Sequence, residues 1–482
     1  MLYHFPHSKG RGPRKKKQST TKGVEMPCSR GLTCGALIIA HAVAFRNPVH
    51  IRGLHVRPCA RPVVAHVVHA RVPEVQAQRL ELPEFDEWMQ LRKIKAPHVK
   101  HAVFHCESGG TQRGVMAERD LAAGETIVEV PRDSALCLLC GEGAPAPDLA
   151  AFWAKHPQWY VRLGTKLLLE RDKGSASAVS GYLDLLPGID ECAQFPVEWP
   201  TADVAQLRYD KAEASITRQR EKWQEVVGDF RALCPQRATW SDVDLRWAWH
   251  MCLSRAFAGN FGGGMLSLVP LLGLVAEVTA QNKGLDYALI PMVDSCNHDG
   301  RLPTTKLEFS PLTRMLTLKA SEGGTRKGEE VLITYGDLDN DQLLQRFGFV
   351  EAECPHDTFV VSKEFVAEAL ELDGGRDQLE GELIDRGLGS TCLDEIVLRR
   401  RGEVEKQLEV EMALGMLFGD DSAGVAGLER ASKRALYRIC EEALARINAP
   451  EEDAGVNGTL LAWREAKSNI LRQALLATAR FV

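Results

Sequence analysis

The segment PMVDSCNHDG, from Pro291 to Gly300, ends an apolar run with Asp294, Asn297 and His298. A carboxylate, an amide and an imidazole gathered at the end of a buried stretch each need a hydrogen-bond partner. They are either a polar cluster that caps a strand end or one wall of a ligand site, and spacing alone leaves both open. Further along, VLITYGD (Val331 to Asp337) reads as a strand that runs into the helix-like DNDQLLQRFGFV (Asp339 to Val350). Tyr335, an aromatic before glycine at a strand end, is by itself ordinary packing with a wet hydroxyl. Together with the first segment it suggests a site.

Several chemistries can be set aside. The chain has no GxSxG elbow, no HExxH, no GxxxxGK[ST], and no GxGxxG between a strand and a helix. No second histidine stands at ligand spacing from His298, so no metal is expected and a ligand there would be held by hydrogen bonds. Cys137 and Cys140 form a lone CxxC in the apolar ALCLLCG, which does not make a metal or redox centre. FGGGM, Phe261 to Met265, reads as a flexible turn.

The 482 residues, 45% hydrophobic and 26% charged, describe a globular chain long enough for two or three domains. Thirteen cysteines without a repeating pattern fit reduced thiols in an intracellular compartment. The net charge of -6 hides an asymmetry: residues 1–73 carry 13 Lys and Arg against one acid, Glu25. The acidic remainder is repelled by phosphate backbones, so nucleic acid is not an expected partner. An arginine-rich, acid-poor leader reads as a transit peptide, disordered and pointing to the chloroplast, with cytoplasm or nucleus as alternatives. Because Met26 to Pro73 holds no acid, Met26 is a second candidate start. The apolar Leu32 to Phe45 is too short to span a bilayer comfortably, and no membrane association is expected. RKKK, Arg14 to Lys17, is either a nuclear signal or a solvated basic end.

Elements follow from periodicity. Residues 74–100 hold a short amphipathic helix before Pro97, and His98 to Pro131 alternates as β-hairpins do. From Pro147 to about Phe257 apolar residues recur three to four apart, in YVRLGTKLLLERDK, in LRYDKAEASITRQREKWQEVVGDFRAL and in DVDLRWAWHMCLSRAF. Strand patterns return at YALIPMV, TKLEFS, MLTLKA and VLITYG, and after Phe359 the chain reads as helical to its end. The expected class is α+β: a β-fold of short strands over 80–358, a helical insertion at about 148–257, and an all-helical C-terminal domain over 359–482.

Five segments in order, GTQRGVMAERDLAAGETIVEVP, SGYLDLLP, WAWHMCLSRAF, PMVDSCNHD and EEVLITYGDLDNDQLLQRFGFVE, resemble the SET-domain protein methyltransferases. More narrowly, the chain is similar to the branch typified by the Rubisco large-subunit lysine methyltransferase, with a split SET domain and a helical substrate-binding domain. The likeness covers roughly residues 80–480. It implies S-adenosyl-L-methionine as cofactor and a protein-lysine N-methyltransferase acting as a monomer on a non-histone protein, with Rubisco large subunit or plastid aldolase as possible substrates. By that resemblance the Thr111, Gln112 and Arg113 turn would meet the amino-acid end of the cofactor through backbone groups. Arg255 would take its carboxylate, Asn297 and His298 its amino group and adenine edge, and Phe349 the adenine face. Tyr335 would be the catalytic tyrosine, and Asp294, Phe309 and Phe347 would belong to the substrate side, with Asp294 either holding its loop or facing the substrate.

Such a reaction is an in-line displacement, so positioning is most of the work, worth on the order of 7–11 kcal/mol. The sequence departs from the family pattern at Thr111, often an acid there, and at Asp299, commonly serine. Gly259 stands where an arginine is found, and Phe347 where an aromatic hydroxyl is found. The cofactor side thus matches better than the substrate pocket, which leaves two alternatives: methylation of a histidine, and an inactive adaptor that keeps the fold.

Overall fold

The computed structural model describes residues 67–68, 77–105, 111–262, 284–301, 303–419, 424–449 and 458–482. Short strands form where apolar residues alternate. Ala77–Arg79, Val99–His105 and Thr111–Ala117 make one antiparallel sheet, with Val103 opposite Arg113 and His105 opposite Thr111. A second antiparallel sheet orders Thr305–Ser310, Met315–Ala320 and Thr126–Pro131. In the third, Asp286–Leu289 lies between Leu136–Leu138 and Ala256–Gly259. The alternation shows in burial: Val99, Ala102, Val115 and Ala117 are buried, as are Leu316, Leu318 and Ala320.

Helices interrupt the strands between Ala150 and Arg255, the longest being Trp159–Asp172, Asp210–Leu233 and Asp242–Arg255. Their apolar faces meet around Trp153, Leu167, Trp223, Phe230 and Trp249, in one core with the sheets. Gly164 permits a close crossing, since a Cβ there would stand 2.8 Å from Trp249 Cδ1. Asp242–Arg255 starts on a capping box between Ser241 and Asp244, which fixes where its last residue, Arg255, emerges.

A second core joins Leu207, Tyr209, Leu344 and Val350 to the C-terminal residues Phe359, Leu414, Ile439, Trp463 and Ile470. The α+β class stands, with a correction: the C-terminal region is mostly, not wholly, helical. Thr358–Ser362 pairs antiparallel with Glu395–Arg399. EIVLR lies in the stretch expected to be helical, yet it buries alternate residues, Ile396 and Leu398, and Gly402 at φ 74° turns the chain before the helix Gln407–Phe418 begins. Of the 1–73 leader, only Val67–Val68 is described, paired parallel to Val350–Glu351; the rest lies outside the described residues, as does most of FGGGM. Among the described residues no helix is long and apolar enough to cross a membrane.

Candidate functional site

After Asp286–Leu289 the chain tightens into turns, with Asp294 N–H donating to Ile290 O and Cys296 N–H to Val293 O. Met292 sits in this turn at φ 70°, an uncommon conformation for a residue with a side chain. The turn delivers Asn297 and His298 into a two-residue strand parallel to Leu332–Ile333. That pairing brings Tyr335 to His298: the Tyr335 N–H donates to His298 Nδ1 at 3.0 Å, and the two rings stack at 5.0 Å. Nδ1 is therefore an acceptor, which puts the proton of the neutral ring on Nε2. Burial pushes His298 down to about 4, so the imidazole is neutral at physiological pH.

Tyr335 also stacks on Phe347 at 4.5 Å and meets Phe349 edge-on at 6.3 Å. Its hydroxyl donates to Cys296 O at 3.1 Å, so the oxygen keeps its lone pairs for another donor. Burial raises the phenol above its ordinary value, and it stays protonated. Phe347 and Phe349 arrive here because the helix Asn340–Phe347 stops at Gly348, whose φ of 76° reverses the chain.

Arg255 Nη1 donates to Asp294 O at 3.1 Å and lies 3.6 Å from Asp294 Oδ2. The same carboxylate oxygen accepts from Tyr182 Oη at 2.6 Å. The Asp294 side chain is fully enclosed, whereas that of Arg255 is 22% exposed. Burial pushes the Asp294 carboxyl up, against the pull of Arg255 and the Tyr182 hydroxyl, and its Oδ1 is buried without a hydrogen-bond partner among the described residues.

Thr111, Gln112 and Arg113 do not form a turn; they open the strand Thr111–Ala117, because Phe104 and Val103 pair with Gln112 and Arg113. Asn297 Nδ2 donates to Arg113 O at 2.8 Å and to Glu330 Oε1 at 2.6 Å. Gln112 Nε2 reaches Glu330 Oε2 at 3.2 Å, and Arg113 pairs with Glu191 at 2.6 Å. Glu330 was missed in the sequence, where RKGEE (Arg326 to Glu330) reads as a turn before the last strand. Its only signal was an acid directly before a strand. Burial raises its carboxyl to about 7.

Phe309 lies apart from this aromatic group in sheet terms, on Thr305–Ser310, with its ring edge-on to Phe261 at 5.7 Å. Asp299 is buried, and its Oδ1 accepts from Arg301 N–H at 2.8 Å. Among the described residues no group of three His, Cys, Asp or Glu could hold a metal. Polar atoms remain for an organic ligand: Asn297 Oδ1 has no partner among the described residues, and Arg255 keeps guanidinium N–H groups beyond the one spent on Asp294.

No family model matches the chain. In sequence it is 28% identical over 307 residues to SET domain-containing protein 4 of Homo sapiens, covering 61% of this chain and 64% of that protein. The Drosophila melanogaster actin-histidine N-methyltransferase is 23% identical over 290 residues, covering 58% of this chain and 50% of that protein. The chain thus spans less than two thirds of the length of these relatives. In structure, the SET domain of LSMT bound to lysine and AdoHcy superposes with a TM-score of 0.54 at 17% identity, over 82% of this chain and 91% of that one. The strands that present Asn297, His298 and Tyr335, the helices inserted among them and the helical C-terminal region accordingly make this chain a SET-fold protein, related in sequence to SET domain-containing protein 4 and in architecture to LSMT.

Proposed function

We propose that the chain is an S-adenosylmethionine-dependent protein methyltransferase whose target is a lysine on a non-histone protein. The observation that carries this reading is Tyr335, held between His298 and Phe347 with its hydroxyl committed to Cys296 O. The cofactor supplies a methyl group on a sulfonium for in-line transfer to an amine. Asn297 Oδ1 suits an ammonium, and the uncommitted N–H groups of Arg255 suit a carboxylate. His298, neutral, and Phe349 offer aromatic faces that fit an adenine.

Tyr335 is not a base in this scheme, since its phenol is held protonated. Its lone pairs accept from the incoming amine while the Cys296 carbonyl stays beside it, and polarised C–H groups are stabilised by such oxygens. The amine must arrive neutral although a free lysine has a pKa of about 10.4. Burial, with the Arg255 guanidinium nearby, lowers that value. Lysine is favoured because the LSMT fold relative is bound to lysine; histidine is the second reading, supported by the Drosophila actin-histidine relative and by the lack of a hydroxyl at Phe347 of this chain. The leader's composition supports a plastid substrate, and the protein would act as a monomer.

The full chain, incubated with labelled S-adenosylmethionine and a plastid extract, should label one protein, and mass spectrometry should find the label on lysine. Tyr335→Phe should cut the rate by about 100-fold, the order expected when a reacting group is misplaced. Equal labelling by the variant would refute the role of Tyr335, and label on histidine would replace the lysine reading with the second.

A further inference from the structure

Glu330 touches none of the groups just assigned to the reaction except Asn297, yet it controls what Asn297 can offer. The Asn297 amide has two N–H donors, and both are spent, one on the Arg113 carbonyl and one on Glu330 Oε1. Its carbonyl oxygen is the one polar atom left. The second Glu330 oxygen takes Gln112 Nε2, so one carboxylate spans the strand Thr111–Ala117 and the segment carrying Asn297. Gly114 makes room for it: a Cβ there would stand 2.2 Å from Glu330 Oε1 and 2.9 Å from Asn297 Nδ2.

We propose that Glu330 is the positioning residue of the cofactor site, its carboxylate holding the Asn297 and Gln112 amides so that Asn297 presents only an acceptor, for a cationic amine. The inference rests on the methyltransferase reading. A carboxylate accepts from both amides at once, whereas a protonated carboxyl turns one oxygen into a donor facing an N–H. Around Glu330 stand the Gln112 amide and Arg113 carbonyl on one side, and Asn297, the Cys296 thiol and the Tyr335 phenol on the other. No Lys or Arg pairs with it among the described residues; Arg113 is engaged by Glu191. With no counter-cation, burial holds the carboxyl at about 7, so ionisation and the clamp are complete only above that pH.

Calorimetric titration of the full chain with S-adenosylmethionine at pH 6 and pH 8 tests this. Wild type should bind about 10-fold more tightly at pH 8, with an enthalpy at pH 6.5 that varies with the buffer because Glu330 releases a proton. Glu330→Gln, nearly isosteric, should bind about 10-fold more weakly at pH 8 and lose both the pH dependence and the proton release. Glu330→Asp should recover the pH dependence in part. Thermal unfolding of each variant identifies any that has lost its fold. Wild-type binding that ignores pH, or Glu330→Gln binding as wild type does at pH 8, would overturn the positioning role alone. No binding by wild type at either pH would overturn the methyltransferase reading with it.

Discussion

Two imidazoles, the buried His298 and the half-buried His101, contribute to how the protein responds to acid. His298 and His101 are both pushed down to about 4 by burial, from an unfolded value of 6.5. The unfolded chain therefore binds more protons between those values, and stability is lost as pH falls from 6.5 towards 4. Glu330 works in the opposite direction, since its raised carboxyl gains stability as pH falls through 7, so a difference between variants isolates each group. His101 offers the cleaner test. Its Nε2 is buried without a partner among the described residues, and its ring meets Phe85 edge-on. His101→Phe should gain about 2 kcal/mol over wild type at pH 5 relative to pH 7.5, measured by urea unfolding. An unchanged difference would mean that His101 is solvated. None of this was readable at sequence level, where a histidine in an alternating strand is equally at home in water.

At the scale of elements, the helix Asn340–Phe347 links the aromatic group to the C-terminal region. Asp339 caps its start, and its Asp341 accepts from Trp463 Nε1 at 3.0 Å. Lys467, fully buried, lies 2.8 Å from both Asp341 and Asp357 and donates to Thr358 O. Burial alone would lower the lysine, and the two carboxylates more than offset it. Lys467→Met should cost about 3–5 kcal/mol in denaturant unfolding, because it leaves buried carboxylates without a counter-charge. A loss under 1 kcal/mol would show that water reaches the pair. At the other end of the helix, Gly348→Ala puts a Cβ at φ 76° and 2.7 Å from Gln194 Cγ. It should cost about 1–2 kcal/mol and weaken cofactor binding by displacing Phe347 and Phe349. Unaltered affinity in a folded variant would detach that turn from the site. The helix was legible in DNDQLLQRFGFV, but its stop was not: the expected run to Val350 ends at Phe347, and Val350 begins a strand. The strand EIVLR was not legible either, because a run of five residues with arginines after it satisfies helix and strand patterns alike.

Across the whole molecule, residues after 358 complete a core rather than hang from one. Trp463, Leu414 and Ile439 pack with Leu207, Tyr209, Leu344 and Val350, and Arg464 Nε donates to Gln206 O at 2.8 Å. A chain ending at residue 358 should therefore be insoluble, judged by the soluble fraction on expression; a soluble fragment that unfolds cooperatively would contradict the shared core. Local pattern determined much of this protein: the order of short strands and helices, the place of DSCNH beside a strand, and the residue types at the site. Periodicity and turn chemistry act over a few residues, and the sequence displays them directly. Tertiary structure alone decided that Asp294 is sealed against Arg255 and Tyr182, and that Glu330 grips Asn297 from a distant segment. Each of those depends on which segments, far apart in the chain, exclude water from the same polar atom, and no local pattern encodes that.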